Sequence, residues 1–306
     1  LDKKPTLPHT RDAFKVLLKM IEGNNDSNSN NNNNKMTVYD GIVLDSGCGT
    51  GRSTKLLARD IYPRHLVIGV DRSFSRLTKT KDNRQSLGDD IDGDGDDNSD
   101  DNNCGGKDDS TEVGDETYCQ QISENAYLVR AELVEFWGCC IEHGWTTSIS
   151  DDCIDTYKGD DDDENSNSRQ KDEADNKKVN INNLKITHHY MLYPNPYPTK
   201  KRLMQRWYAH PCFPLILKLN VETMVIRSNW DVYLNEFATA IEMANDFYCT
   251  SSISNNLALS YLSSAKVGPI ERIDKSVALT NFEAKFDNVG ESTYELILKK
   301  KNRTSS

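Results

Sequence analysis

The sequence predicts an α/β chain built on a doubly wound, mostly parallel sheet with an antiparallel hairpin at its C-terminal end. Short apolar runs alternate with amphipathic stretches, which suits strands joined to parallel neighbours through helices. A glycine-rich turn, Ser46-Gly47-Cys48-Gly49-Thr50-Gly51, stands between the first apolar run and the helical stretch that follows. Two late runs, 281–286 and 293–299, flank Asp287-Asn288-Val289-Gly290, a hairpin signal.

The 306 residues carry a net charge of −11 and are 36% hydrophobic, with a mean hydropathy of −0.71. Three polar tracts account for the low apolar share. Residues 24–34 are almost all Asn and Ser, residues 82–119 hold 14 acidic and 2 basic residues, and residues 151–178 hold 11 acidic and 5 basic. Such segments cannot bury enough apolar surface to offset ordering entropy and read as disordered. Setting them aside leaves 229 residues, the size of one domain. The expected organisation is an N-terminal extension over 1–41, one domain over 42–300 interrupted by the acidic inserts 82–119 and 151–178, and a tail over 301–306.

The two acidic inserts carry −12 and −6, so the rest of the chain is basic, at +7. A polyanionic partner is compatible with that balance despite a pI of about 5.1. No run approaches the ~18–20 apolar residues of a membrane span, and no signal peptide is visible. Eight cysteines, at 48, 104, 119, 139, 140, 153, 212 and 249, form no Cys-x-x-Cys pair. Reduced intracellular thiols are expected, and no metal site. The location expected is cytoplasmic or nuclear, with organellar targeting left open because the first residue is Leu1.

Taken in order, residues 13–21 are amphipathic, and Ile42-Val43-Leu44-Asp45 reads as a short buried strand. After the glycine turn, 52–59 is helical in pattern. A second strand, 66–70, ends at Asp71, and a helix starts at Ser73. Residues 127–129 suit a third strand, with a helix over 133–141. Residues 186–193 and 224–227 suit two more strands, joined through a helix over 211–219 with Pro in its first turn. Ser228 is placed to cap a strong helix, in which Trp230, Tyr233, Leu234, Phe237, Ile241 and Ala244 recur at helical spacing.

A strand, a glycine turn and a helix, with an acid closing the next strand, form a general nucleotide-binding layout. Ligands bind beyond the carboxyl ends of such strands, where glycines admit close backbone approach. The spacing here is Gly-x-Gly-x-Gly, with Arg52 where a dinucleotide fingerprint needs its last glycine and with no P-loop lysine. S-adenosylmethionine, which brings no pyrophosphate, suits the turn better. Asp71 would accept from its ribose hydroxyls.

The second informative block is Tyr193-Pro194-Asn195-Pro196-Tyr197-Pro198. Its alternating prolines forbid helix and make a stiff loop at a strand's carboxyl end. Tyrosine rings there can stack a base. Lys200, Lys201, Arg202 and Arg206 follow at once, placed for phosphates.

The order Leu44-Asp45-Ser46-Gly47-Cys48-Gly49-Thr50-Gly51, Gly69-Val70-Asp71, the Tyr-Pro-Asn-Pro-Tyr-Pro-x-Lys-Lys-Arg block, Ser228-Asn229-Trp230 and Thr280-Asn281-Phe282-Glu283 resembles the tRNA (guanine-N7)-methyltransferase family. The resemblance spans about residues 40–300 outside the inserts. It implies a Rossmann-like class I methyltransferase fold, S-adenosyl-L-methionine as methyl donor and tRNA as partner, the acceptor being a variable-loop guanine. It also implies cofactor contacts at Asp45, Gly47, Gly49, Gly51, Asp71, Glu132 and Thr280. Asn195, Tyr197 and Glu283 would line the base pocket, and Lys200, Lys201, Arg202, Arg206 and Asn229 would engage RNA. A non-catalytic partner subunit stays open.

Asn195 and Asn229 fall where the family carries Asp. An aspartate grips the N1–H and N2–H donors of guanine, whereas an amide offers one acceptor oxygen and an NH2 donor. Asn195-Pro196-Tyr197 also loosely resembles the element of methyltransferases that modify exocyclic amines. Three readings therefore stand: guanine-N7 transfer, transfer to an exocyclic amine or small molecule, and an inert RNA-binding relative. A large gain in guanine methylation on placing Asp at 195 would mark the natural Asn as a handicap.

The remaining candidates read as structural. His188 and His189 should face opposite sides of a strand, Cys48 serves as a small side chain, and Trp207 packs. The Asp-rich stretch 89–101 lacks the final Glu and the flanking helices of a calcium loop.

Overall fold

The computed structural model describes residues 8–26, 38–79, 117–146, 183–250, 261–262, 267–269 and 278–300. The Asn tract beyond residue 26, nearly all of insert 82–119, all of insert 151–178, the stretch 89–101 and the tail 301–306 lie outside the described residues.

Among the described residues nine strands form one sheet: β1 (Ile42–Ser46), β2 (Leu66–Asp71), β3 (Cys119–Ser123), β4 (Ala126–Arg130), β5 (Ile186–Leu192), β6 (Thr223–Ser228), β7 (Tyr261–Leu262), β8 (Val267–Pro269) and β9 (Tyr294–Lys300). Their order is β3-β4-β2-β1-β5-β6-β9-β7, with β8 also on β9. Strands β4, β2, β1, β5 and β6 are parallel. β3 is antiparallel to β4, and β9 is antiparallel to β6, β7 and β8. The helices are α1 (Pro8–Asp26), α2 (Arg52–Leu56) with a wider turn over Leu57–Ile61, α3 (Phe74–Thr78), α4 (Leu133–Glu142), α5 (Phe213–Lys218), α6 (Asp231–Thr250) and α7 (Asn281–Asn288). None is long and apolar enough to cross a membrane among the described residues.

β1 and β2 are buried along their whole length, as parallel strands covered on both faces must be. On one face Ile42, Leu44, Leu66 and Ile68 pack with Phe14, Phe136, Trp137 and Trp145. On the other, Val43 and Val67 pack with Leu56, Leu57, Tyr190 and Val225. Gly69 is needed in mid-strand because a Cβ there would collide with Thr54 Oγ1 and lie 2.9 Å from Leu128 Cδ2. That close approach seats α2 on β2.

Three boundaries differ from expectation. The N-terminal extension contributes α1, whose Ala13, Phe14, Leu17 and Ile21 enter the core. Insert 82–119 ends too late, since β3 starts at Cys119. Residues 281–286 form the start of α7, not a strand; Thr280 caps it by accepting from Glu283 N. The antiparallel C-terminal strand is present as β9, and β8 is its partner on that side. The cysteines described, 48, 119, 139, 140 and 212, are free thiols.

His188 and His189 lie on opposite faces. His189 is fully buried, with Nε2 2.8 Å from Ser46 Oγ, which also accepts from Trp137 Nε1 at 3.1 Å. His188 packs 4.6 Å from the Tyr62 ring. Burial pushes His189 down to about 3 and His188 to about 4. An unfolded His titrates near 6.5, so below that pH the unfolded chain binds protons the folded one refuses. Their contribution is complete above pH 6.5 and is lost as pH falls toward 4. Asp45, raised by burial to about 6, has the opposite sign: it favours folding more as pH falls from 6 to 4. Two histidines outweigh one carboxyl. Urea midpoints are expected to drop between pH 7 and pH 4.5, and His189→Gln to flatten that slope.

Candidate functional site

The glycine turn leaves β1 with Gly47, Gly49 and Gly51 at φ of 81°, 60° and 78°, a region that glycine enters without a Cβ penalty. Gly47 N and Cys48 N donate to Val70 O at 2.8 and 3.1 Å. Gly49 N donates to Asp71 Oδ2 at 3.0 Å. The turn is packed at one end and open at the other. A Cβ on Gly51 would lie 2.7 Å from Leu128 Cδ1, whereas at Gly47 or Gly49 it meets nothing within 4 Å. Cys48 is buried, and desolvation raises its thiol well above the ordinary range.

Asp71 is buried at the carboxyl end of β2. Its Oδ1 accepts from Ser73 N at 2.8 Å and lies 3.2 Å from Arg76 Nη2. Asp45, expected to serve the cofactor, sits beneath the turn. Its Oδ2 accepts from Ser53 Oγ at 2.6 Å and Thr54 Oγ1 at 2.8 Å, tying α2 to β1. Glu132 follows β4 as the N-cap of α4, its Oε2 accepting from Val134 N at 2.8 Å. Its own N–H donates to Thr10 Oγ1 of α1 at 3.1 Å, and Ala131 N donates to Asp71 O at 3.1 Å. Asp45 and Asp71 thus brace the turn and the start of α2 directly, and Glu132 follows the neighbouring strand β4.

The tyrosine-proline loop leaves the neighbouring strand β5. Tyr193 and Tyr197 have φ of 53° and 44°, a strained region for bulky residues. Exposed Asn195 accepts through Oδ1 from Tyr197 N at 3.2 Å. A backbone N–H needs an acceptor, so this contact fixes the amide orientation and turns the NH2 group outward. Lys200, Lys201 and Arg202 are exposed on a tight helical turn, Lys200–Gln205. The Arg202 guanidinium lies 4.6 Å over the Tyr197 ring. Asn229 is exposed just past β6.

Arg206 departs from its expected role in binding phosphate. It is buried, donates to Tyr197 O through Nε and Nη2 at 3.2 and 3.0 Å, and reaches Tyr208 OH at 2.7 Å and Glu236 Oε2 at 2.5 Å. It also lies 5.0 Å from the Trp230 ring. Its job is to fasten the loop to α6. Trp207 packs, as expected, 5.2 Å from Trp137.

Thr280 and Glu283 tie down the start of α7, with Glu283 reaching one residue past the N-cap. Thr280 Oγ1 accepts from Glu283 N at 3.0 Å, and Glu283 Oε2 accepts from Leu279 N at 3.0 Å. Glu283 is fully buried and paired with Arg227 Nη1 at 3.0 Å, while Arg227 Nε meets Glu295 at 2.7 Å. Glu283 therefore builds the wall of the site, whereas the expected role was in the base pocket. Thr280 likewise spends its hydroxyl on the helix. Arg52 Nε donates to Ala278 O at 3.3 Å, linking this segment to α2 beside the glycine turn. The ring centroids of Tyr193 and Phe282 are 4.8 Å apart; Tyr193 belongs to the loop whose rings were expected to stack a base, whereas Phe282 had no role assigned, because 281–286 was expected to be a strand.

A parallel core ordered β4-β2-β1-β5-β6, with an antiparallel β9 inserted before β7 and a glycine turn after β1, is a doubly wound, Rossmann-like α/β arrangement. The sequence matches no protein-family model and none of the curated proteins. Among solved structures it is similar to the 16S rRNA methyltransferase KamB, at 13% identity over 86% of this chain and 89% of that one, with a TM-score of 0.40. It is also similar to an antibiotic-related methyltransferase, at 12% identity over 93% and 92% of the two chains, TM-score 0.39. A third is the antibiotic-resistance methyltransferase Kmr, at 10% identity over 86% and 88%, TM-score 0.38. Scores this low carry no argument about substrate, and the fold rests on the strand order itself.

Proposed function

We propose that the chain transfers a methyl group from S-adenosylmethionine to N7 of a variable-loop guanine in tRNA. The observation that carries this reading is the meeting, at adjacent strand ends, of an open glycine turn latched to Asp71 with a stiff tyrosine-proline loop bearing exposed Lys200, Lys201 and Arg202. The residues fit the donor: side-chain space beside Gly47 and Gly49 is open, and a carboxylate stands where ribose hydroxyls need acceptors. Asp71 would hold the ribose, the backbone at Gly47 and Gly49 the methionine part, and Glu132 the adenine side.

Bound S-adenosylmethionine supplies a methyl on a positively charged sulfur, which passes to the in-plane lone pair of N7 as the C–S bond breaks. N7 carries no proton, so the protein's task is alignment, without a general base. Lys200, Lys201 and Arg202 would hold phosphates, making binding steeply salt-dependent. With its Oδ1 already accepting from Tyr197 N, Asn195 offers an NH2 donor, matched to O6 beside N7.

On this basis Asn195→Asp is expected to lower kcat/KM for tRNA about tenfold, the loss of one hydrogen bond; a rise would restore the carboxylate grip as the better account. The direct test is transfer from radiolabelled S-adenosylmethionine to bulk tRNA with nucleoside analysis. Label in 7-methylguanosine supports the proposal. Label in another nucleoside, or none in tRNA from protein that binds the donor, removes it.

A further inference from the structure

We infer that Phe282, backed by Tyr193, is the surface on which the acceptor base stacks. Phe282 occupies the first turn of α7, directly after the capping threonine, and remains 43% exposed. Its ring lies 4.8 Å from Tyr193 and 4.5 Å from Phe286, so it is held in place without being covered. Phe282, Tyr193 and Phe286 together form a small aromatic cluster of which the Phe282 ring is the open face.

Tyr193 adds a second cost. Its φ of 53° breaks the extended course of β5 at the end of the strand, a conformation that persists only where its surroundings enforce it. Tyr193 N donates to Arg227 O at 2.8 Å, and Arg227 is paired with Glu283 of α7. Arg227 thus touches both segments, through its backbone carbonyl to Tyr193 and through its guanidinium to the first turn of α7. An exposed ring and a strained one, held together at the carboxyl edge of β5, form a rigid π-face beside the methyl-transfer site.

The neighbourhood selects the ligand. Lys200, Lys201 and Arg202 are exposed a few residues along the same loop, and aromatic faces flanked by cations hold single-stranded bases with their phosphates. The occupant is a nucleobase swung out of its stack. This inference rests on the RNA reading above and adds to it the residue that grips the acceptor from its face.

The test uses the full chain saturated with S-adenosylhomocysteine and measures tRNA binding by filter retention over a salt series. Phe282→Leu is expected to weaken binding roughly 5- to 100-fold, the range of base–aromatic stacking. The slope of log K against log salt should stay unchanged, because no phosphate contact is removed. Phe282→Trp should bind within about threefold of the natural protein. Unchanged binding by Phe282→Leu, equal losses in the Leu and Trp variants, or a shallower salt slope would each overturn the inference. Wild-type protein that binds tRNA yet labels no nucleoside would sink the methyl-transfer reading alone, with the variants still deciding the stacking surface. Absence of tRNA binding would remove both.

Discussion

Asp71→Ala is expected to raise the Kd for S-adenosylhomocysteine at least 100-fold in isothermal titration. Two losses combine. Ribose hydroxyls lose a charged acceptor, where each such hydrogen bond is worth about 1.5–3 kcal/mol. The turn loses its latch as well, since Gly49 N and Ser73 N both donate to this carboxylate, at 3.0 and 2.8 Å. A 100-fold change is about 2.7 kcal/mol, within reach of the first loss alone. Asp71→Asn keeps one acceptor oxygen and the shape of the side chain, so an intermediate Kd is expected. An alanine variant that binds within threefold of the natural protein would remove Asp71 from the donor site.

Glu283→Ala is expected to destabilise the protein by about 3 kcal/mol, within the range for breaking a buried ion pair, and to lower Tm by roughly 10 °C for a domain of this size. Glu283 is fully buried; its carboxylate holds Arg227 Nη1 at 3.0 Å and Leu279 N at 3.0 Å. Removing it leaves a mostly buried guanidinium with Glu295 as its remaining carboxylate partner among the described residues, and a helix end with a donor unmet. Glu283→Gln retains an acceptor for Leu279 N and should fall between the two. Calorimetry and urea unfolding measure both. A catalytic role would show the reverse pattern, with activity lost in both variants while Tm stays in place.

Much of the sheet could be read directly. Ile42-Val43-Leu44-Asp45, Leu66-Val67-Ile68 and Met224-Val225-Ile226 are apolar runs too short for helices, and each became a buried parallel strand. Residues 281–286 misled because Phe282, Ala284 and Phe286 alternate like a strand. The same letters carry Thr280-x-x-Glu283, the spacing of a helix N-terminus. Arg206 looked like one more cation in a basic run; its partner Glu236 lies 30 positions away, and local pattern carries no record of such a contact. Asn195 could be named from sequence, but the direction of its amide depended on Tyr197 N, a contact made only once the loop has folded. Residues beside a glycine turn are legible because backbone geometry demands them, whereas loop cations acquire their roles from distant elements.

The position of β9 bears on how the molecule is assembled as it is made. This strand separates β6 from β7 and also pairs with β8, so the edge of the sheet waits for residues 294–300 to leave the ribosome. The turn, Asp71, Glu132 and the start of the tyrosine-proline loop belong to strands complete by residue 192. Contacts of large sequence separation form slowly, and growing chains with unpaired strand edges are prone to aggregate. Synthesis thus passes through an interval in which β1, β2, β4 and β5 are complete while β6 still has an open side. Glu283 and its partner Arg227 both precede β9 in the chain, so this pair is complete before the strand that closes β6 has been made.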